Sequence, residues 1–327
     1  MFLATADLSA SPPLCRYDAP TRDPLRVGLV QHRWQPDVEA LTAELAEGIS
    51  IAAGNGARAV FLPEITLLRY PAFVRGGPDA ASLAEDLDDG PTVTFAREMA
   101  SAHGVFVHAS VYERTPECAD GLGYNTAVLI APSGEIAGRT RKLHIPVTSG
   151  YYEDTYFRAG PADGDPYPVY RPTGLDAGIA LPTCWDEWFP ELARSYSLRG
   201  ADIIAYPTAI GSEPDFPDFD TEPLWQHVIT GNAITAGTFM VVPNRYGNEG
   251  EITFYGSSFI CDPYGRILVQ APRDKSAVLV ADLDLNLRHD WLTLFPFNRT
   301  RRPDTYGLLV APVADTPLGE QLPGAPS

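Results

Sequence analysis

Arg26-Val27-Gly28-Leu29-Val30-Gln31, then Val38 to Ala53 with Leu41, Leu45, Ile49 and Ala52 at helical spacing, then Ala59-Val60-Phe61-Leu62-Pro63-Glu64, is the stretch that decides the fold. Two short apolar runs read as strands, and the segment between them reads as an amphipathic helix. A strand–helix–strand unit makes a parallel pair, which has to be covered on both faces. The expected class is therefore α/β. Gly54-Asn55-Gly56-Ala57-Arg58-Ala59 has the G-x-G-x-x-A spelling of a dinucleotide fingerprint. It follows a helix and precedes a strand, the reverse of the order that fingerprint needs, so the glycines are read as a helix cap. Glu64 ends the second strand, on the edge where open α/β folds place their ligands; a turn cap after Pro63 is the plainer reading.

The alternation continues outward. A helix is expected over Thr92 to Ala102 and a strand over Val105 to Val111. Tyr124 to Ile130 and Glu135 to Arg139 read as a hairpin across Pro132-Ser133-Gly134. Its second strand runs into Arg141-Lys142-Leu143-His144-Ile145-Pro146. Lys142 has apolar neighbours, where a lysine is costly unless paired, although lysines more often snorkel to the surface. An aromatic loop, Gly150-Tyr151-Tyr152-Glu153-Asp154-Thr155-Tyr156-Phe157, adds another carboxylate. Such loops are commonly packing, but aromatic rings also wall small-molecule pockets.

Ala177 to Leu181 reads as a strand leading into Thr183-Cys184-Trp185-Asp186-Glu187-Trp188-Phe189-Pro190-Glu191. Backbone amides at a strand-to-helix junction favour negative charge, so Cys184 is a candidate thiolate with a depressed pKa, expected to alkylate before the other cysteines. The alternative is one more buried cysteine. Beyond it, helices over Pro190 to Leu198 and Trp225 to Ala236 alternate with strands over Ala201 to Tyr206, Thr238 to Val242, Phe254 to Cys261, Arg266 to Gln270 and Ala277 to Ala281. Two sheets in a layered arrangement are expected. With no internal composition break, residues 24–310 read as one domain, flanked by a leader over 1–23, disordered or wrapped as an arm, and a Pro/Gly-rich tail over 311–327.

Composition removes several classes. The net charge of −18 makes nucleic acid and anionic membrane poor partners. No apolar run approaches membrane-spanning length, and the N-terminus lacks a secretory pattern, so a cytoplasmic protein is the default. The four cysteines, Cys15, Cys118, Cys184 and Cys261, form no CxxC pair, which disfavours a thiolate metal site and a disulfide framework.

Three chemistries compete. A Cys–His hydrolase needs a partner among His32, His103, His108, His144, His227 and His289, none of them marked by context. A serine hydrolase needs a G-x-S-x-G elbow, which Gly256-Ser257-Ser258 does not fit. The third uses a carboxylate as base and a lysine as oxyanion partner: Glu64, Lys142 and Cys184 all sit at or just beyond strand ends and can converge on one sheet edge.

Phe61-Leu62-Pro63-Glu64, Arg141-Lys142-Leu143-His144-Ile145-Pro146 and Cys184-Trp185-Asp186-Glu187-Trp188-Phe189-Pro190-Glu191, in this order, resemble the glutamate, lysine and cysteine motifs of the nitrilase, or carbon–nitrogen hydrolase, superfamily. The C-W-D-x-W-F-P-E spelling, Gly150 to Glu153, Tyr206 to Gly211, Phe254 to Phe259 and Arg301 to Gly307 are similar to its N-carbamoylputrescine amidohydrolase branch. The resemblance implies a four-layer αββα sandwich in a single domain, assembled as a homodimer or larger homo-oligomer. It implies hydrolysis of an amide or N-carbamoyl amine, with no metal or organic cofactor. Glu64 would be the base, Cys184 the nucleophile, Lys142 the oxyanion partner and Glu153 the additional glutamate. Trp185, Glu187, Tyr151 and Tyr152 would contact the substrate or the oxyanion. Asp215, Asp218, Asp220, Glu222 or Glu187 would supply counter-charge to a cationic tail. An N-carbamoyl amino acid or an aliphatic amide is the alternative substrate, and an inactive binding protein on the same fold the alternative of another class. Glu187, usually Gln in that branch, and Val147, usually Asp, depart from the pattern.

Overall fold

In the computed structural model, residues 1–77, 79–115 and 120–311 are described. Cys118 and residues 312–327 of the tail expected over 311–327 lie outside them. In chain order the elements are β1 (Phe2–Ala6), β2 (Leu25–Gln31), α1 (Val38–Gly54), β3 (Ala59–Phe61), α2 (Pro91–His103), β4 (Phe106–Glu113), β5 (Tyr124–Ile130) and β6 (Ile136–Arg141). A small ribbon, β7 (Val147–Thr148) and β8 (Tyr151–Tyr152), comes next, then β9 (Ile179–Ala180), α3 (Pro190–Leu198), β10 (Ile203–Ala205), α4 (Glu222–Ala236) and β11 (Phe239–Val242). A second ribbon, β12 (Tyr246–Asn248) and β13 (Thr253–Tyr255), precedes β14 (Phe259–Cys261), β15 (Ile267–Gln270), β16 (Ala277–Leu283) and α5 (Asn286–Leu294).

The strands form two main sheets, ordered β1-β16-β2-β3-β4-β5-β6 and β15-β14-β11-β10-β9. Period-2 alternation explains their stacking. Val27, Leu29, Ala59 and Phe61 of the first sheet and Ile203, Ala205, Phe239 and Val241 of the second share one buried core. The alternate residues Val30, Val60 and Val107 face Leu41, Leu45 and Ile49 of α1 and Val93 and Ala96 of α2. On the far side, Ile204, Met240 and Val242 face Leu192 and Tyr196 of α3 and Trp225 and Ile229 of α4. The layers are helix, sheet, sheet, helix, as expected.

Local chemistry sets the boundaries. Asp37 caps α1 by accepting from the N–H groups of Glu39 and Ala40 at 3.0 and 3.3 Å. Gly56, at φ +86°, follows the Asn55 cap, so the glycine run is a helix terminus as read from the sequence. At Gly28 a Cβ would lie 2.9 Å from the Ala52 Cβ, so glycine is what lets α1 approach β2.

Three features differ from the sequence reading. Residues 2–6 of the expected leader form an edge strand parallel to Ala277–Ala281, satisfying backbone groups that β16 would otherwise expose. The helix α5 was not foreseen. The run Phe254 to Cys261 breaks at Gly256 and Ser257, both at positive φ, and gives two strands in different sheets.

Leu279 is fully buried in β16, opposite Leu29, in the core between the sheets. Leu279→Ala is expected to cost about 2–5 kcal/mol, the range for large-to-small core changes. Denaturant unfolding should show a lowered midpoint at unchanged slope.

Candidate active site

Glu64 follows β3, Lys142 follows β6, and Cys184 lies four residues past β9, so three strand ends deliver the three side chains to one edge of the sandwich. All three are buried, Glu64 and Lys142 fully and Cys184 to 6% exposure. Lys142 Nζ donates to Glu64 Oε1 at 2.9 Å and to Glu153 Oε2 at 2.7 Å. A lysine ammonium carries three N–H donors, so one remains for a further acceptor. Burial alone would lower the Lys142 pKa; Glu153 and Glu64 reverse that and hold it above the usual lysine value.

Glu64 is oriented from three directions. Its Oε1 also accepts from Asn125 Nδ2 at 2.7 Å, and its Oε2 from the Ala209 N–H at 2.9 Å. Asn125 is the second residue of β5, and Ala209 lies beyond β10 of the second sheet, so the carboxylate spans the junction of the sheets. Ile65, the next residue, adopts φ +47°, a conformation costly for a β-branched side chain. Arg245 holds that strained turn: Nη2 donates to the Glu64 and Ile65 carbonyls at 2.8 Å each, and Nη1 is paired with Glu249 at 2.9 Å. Glu153 is steadied by the Tyr70 hydroxyl at 2.9 Å. Burial pushes the Glu153 carboxyl up to about 7, with Lys142 opposing.

Cys184 opens a 3-10 turn, Cys184–Trp188, at φ +41°, and its N–H donates to the Pro207 carbonyl at 3.0 Å. Asp186 ties this turn to the lysine segment. It accepts from the N–H groups of Thr183 at 3.1 Å and His144 at 2.9 Å, and its Oδ1 is 2.7 Å from His144 Nδ1. The expected depressed thiol is corrected here. Burial raises the Cys184 pKa well above the ordinary value, Glu64 adds to the rise, and Lys142 offsets only part. The amides credited with holding a thiolate belong to a short turn, and α3 starts only at Pro190.

A cavity of about 350 Å³ opens onto Cys184 and Glu153. Trp185, Tyr151, Trp188, Ile210 and Phe216 line it, and two further carboxyls, Glu213 and Asp215, face into it. Larger surface cavities, one of about 950 Å³, touch none of the four central side chains. Two residues expected at the substrate do not line the cavity. Tyr152 alternates with Tyr151 along β8, so the two rings point to opposite sides. The Tyr152 ring lies under the Arg75 guanidinium at 4.3 Å. Glu187 is fully buried behind Cys184. Asp220, another expected counter-charge, is paired with Arg273 at 2.7 Å. Asp218 lines a neighbouring cavity, and Glu222 opens α4.

The competing chemistries find no support in the geometry. No histidine lines the cavity; His32 and His108 are buried, which pushes both down to about 3. Ser258 Oγ bonds Gln31 Oε1 at 2.7 Å as a structural hydroxyl. Among the described residues no group of three His, Cys, Asp or Glu side chains is placed to hold a metal, and no helix is long and apolar enough to cross a membrane. Sequence reasoning missed Asn125, Tyr70, Ala209, Arg245 and Glu213. Asn125 sits in a strand-like run and Ala209 contributes only backbone, so neither carried a signal. Glu213 lies two residues from Asp215 and was there to be found.

The model of the carbon-nitrogen hydrolase family matches residues 26–292. The chain is 34% identical over 291 residues to a citrullinase of Francisella tularensis, covering 88% of this chain and 98% of that protein. It is 33% identical to an N-carbamoylputrescine amidase of Arabidopsis thaliana, covering 87% and 94% respectively. A carbon-nitrogen hydrolase from Helicobacter pylori G27 superposes with a TM-score of 0.76 at 28% identity, over 88% of this chain and 98% of that one.

The Glu153 value sets a pH expectation. As pH falls through about 7, Glu153 takes a proton and Lys142 loses one of its two carboxylate partners, so kcat/KM should decline on that side. The Tyr70 hydrogen bond favours the ionised form, so Tyr70→Phe should move this limb to higher pH. The shift should be about half a unit to one unit, the worth of one hydrogen bond to a carboxylate. A pH–rate profile checks it; an unmoved limb contradicts the assignment.

Proposed function

Because the chain belongs to the carbon–nitrogen hydrolase family, whose relatives above act on C–N bonds other than peptide bonds, we propose that it cleaves an N-carbamoyl amine with a cationic tail, through a thioacyl intermediate on Cys184. The observation that carries the substrate class is the wall of the cavity. Glu153, Glu213 and Asp215 face it, and among the described residues that line it there is no arginine or lysine, while the Lys142 ammonium nearby is already shared by Glu64 and Glu153. Glu213 is half withdrawn from water, which raises its pKa, with the Thr221 hydroxyl opposing at 3.2 Å. A carboxylate there gains most from a bound cation. An ammonium-tailed substrate such as N-carbamoylputrescine meets this wall favourably. Citrulline, the substrate named for one relative, adds a carboxylate for which the lining offers no cation.

The geometry supports the following steps. The Cys184 thiol, held protonated at rest, passes its proton to Glu64 as sulfur bonds to the carbamoyl carbon. The carbonyl oxygen becomes an oxyanion against the third Lys142 N–H, with the Trp185 backbone N–H as second donor, each worth roughly 3–4 kcal/mol in sites of this type. Collapse breaks a C–N bond, and the leaving nitrogen takes the proton from Glu64. Glu64 then removes a proton from water as it attacks the thioacyl carbon, the C–S bond breaks, Cys184 is reprotonated, and the carbamic acid released loses CO₂ as its remaining C–N bond breaks and the nitrogen takes up the acid proton. One N-carbamoyl amine and one water give amine, ammonia and CO₂.

In a panel of N-carbamoylputrescine, citrulline, N-carbamoyl-β-alanine and an aliphatic amide, with ammonia and CO₂ followed separately, N-carbamoylputrescine is expected to have the highest kcat/KM. Cys184→Ala should abolish turnover while leaving the fold intact. Glu213→Gln should raise KM for the cationic substrate about tenfold, roughly the 1–2 kcal/mol of a partly buried ion pair, and leave the aliphatic amide nearly unchanged. Preference for citrulline, or equal effects on both substrates, would overturn the cationic reading.

A further inference from the structure

We propose that Glu187 is a positioning residue for the thiol, forming behind Cys184 a closed polar cluster with Tyr206, Trp225 and Tyr255 to which it contributes a hydrogen-bond donor and no charge. Glu187 is fully buried, and neither of its oxygens has a partner in hydrogen-bond geometry. The Tyr206 and Tyr255 hydroxyls and the Trp225 indole N–H are likewise buried and outside such geometry. These groups are neighbours. Both tyrosine hydroxyls lie close enough that charge on Glu187 would raise their pKa, the Trp225 indole is directed at its carboxyl, and the Trp225 and Tyr255 rings lie 5.5 Å apart. From α4, the Asn232 amide donates to the Glu187 backbone carbonyl at 2.8 Å and fixes the turn against the helix.

The charges around Glu187 decide its state. Glu64, Asp186, Cys184, Tyr206 and Tyr255 face it, and among the described residues the cation that bears on it is Lys142. That ammonium is already shared by Glu64 and Glu153. Arg245, the other buried cation of the site, is committed to Glu249 and to backbone carbonyls. A further anion here would be neither paired nor hydrated, a cost that a buried carboxyl escapes by keeping its proton. Burial first, then Glu64, push the Glu187 carboxyl well above the usual range. As the acid it offers one O–H donor and one carbonyl acceptor. As an anion it would push the Cys184 thiol further up and oppose attack.

The inference rests on the amidohydrolase reading above, and its test includes a measurement that needs no substrate. Difference infrared spectra of wild type minus Glu187→Gln at neutral pH should show the C=O band of a protonated carboxylic acid. Carboxylate bands in its place would overturn the proposal even if the enzyme turned over none of the substrates tested. In kinetics, Glu187→Ala should lower kcat/KM about 10- to 100-fold, the scale of removing the central polar side chain from a buried polar cluster. Glu187→Gln should recover most of that loss, and its activity should persist to higher pH than wild type because an amide does not ionise. A glutamine variant no better than alanine would overturn it equally.

Discussion

A lysine ammonium with no access to water has to be surrounded by carboxylates, and much of this molecule is arranged around meeting that condition at Lys142. Its partners, Glu64 and Glu153, come from opposite directions in the chain and are themselves buried. Such a triad is a weak source of stability, since desolvating three charges offsets most of their attraction. Each remaining lone pair therefore needs a donor. Asn125 and the Ala209 N–H supply Glu64, and Tyr70 supplies Glu153. These donors lie on β5, on the loop past β10 and on the loop after β3, so the two sheets have to be stacked before the triad is satisfied. A single sheet could not close it.

The same edge stores strain on both sides of the cavity. Ile65 and Cys184 sit at positive φ, where a side chain crowds its own backbone. Such conformations cost about 1–3 kcal/mol each and persist only where the surroundings over-determine them. At Ile65 the surroundings are the Arg245 guanidinium, which grips two successive carbonyls while Glu249 neutralises its charge. At Cys184 they are the Pro207 carbonyl and the Asp186 carboxylate, which binds backbone N–H groups of both the cysteine turn and the lysine segment. Displacing Asp186 would disturb Lys142 and Cys184 together. The motif C-W-D is therefore a single mechanical unit, in which the aspartate carries the positioning of the turn and of the lysine segment together.

The βαβ unit, the helices flanking Cys184 and the three motif residues were legible in the sequence because periodicity and motif spelling are local properties. What escaped depends on distant partners. Phe2–Ala6 is a strand only because β16 offers it an edge some 270 residues later in the chain. Asn125, inside a strand, looks like any polar residue of a half-buried sheet until Glu64 is placed beside it. Arg245 reads as a surface cation until the strained Glu64–Ile65 turn is seen to need one. Tyr151 and Tyr152 were read together, and strand geometry separated them. Cys184 was read with a depressed pKa from the junction alone, yet burial and Glu64 act on the thiol more strongly than the amides of one short turn.

That correction bears on how the proposed nucleophile works. A standing thiolate would place a third anion beside Glu64 and Glu153, with one ammonium to serve them all. Burial and Glu64 favour a neutral thiol at rest, and on the proposed mechanism its proton moves to Glu64 only as sulfur meets an electrophile. Negative charge then passes from Glu64 through sulfur to the carbonyl oxygen, where the uncommitted Lys142 N–H can receive it. The net charge of the buried set stays constant throughout. A largely buried site can support such a reaction because no charge has to be solvated along the way, and it discourages alkylation of an idle thiol by the same means.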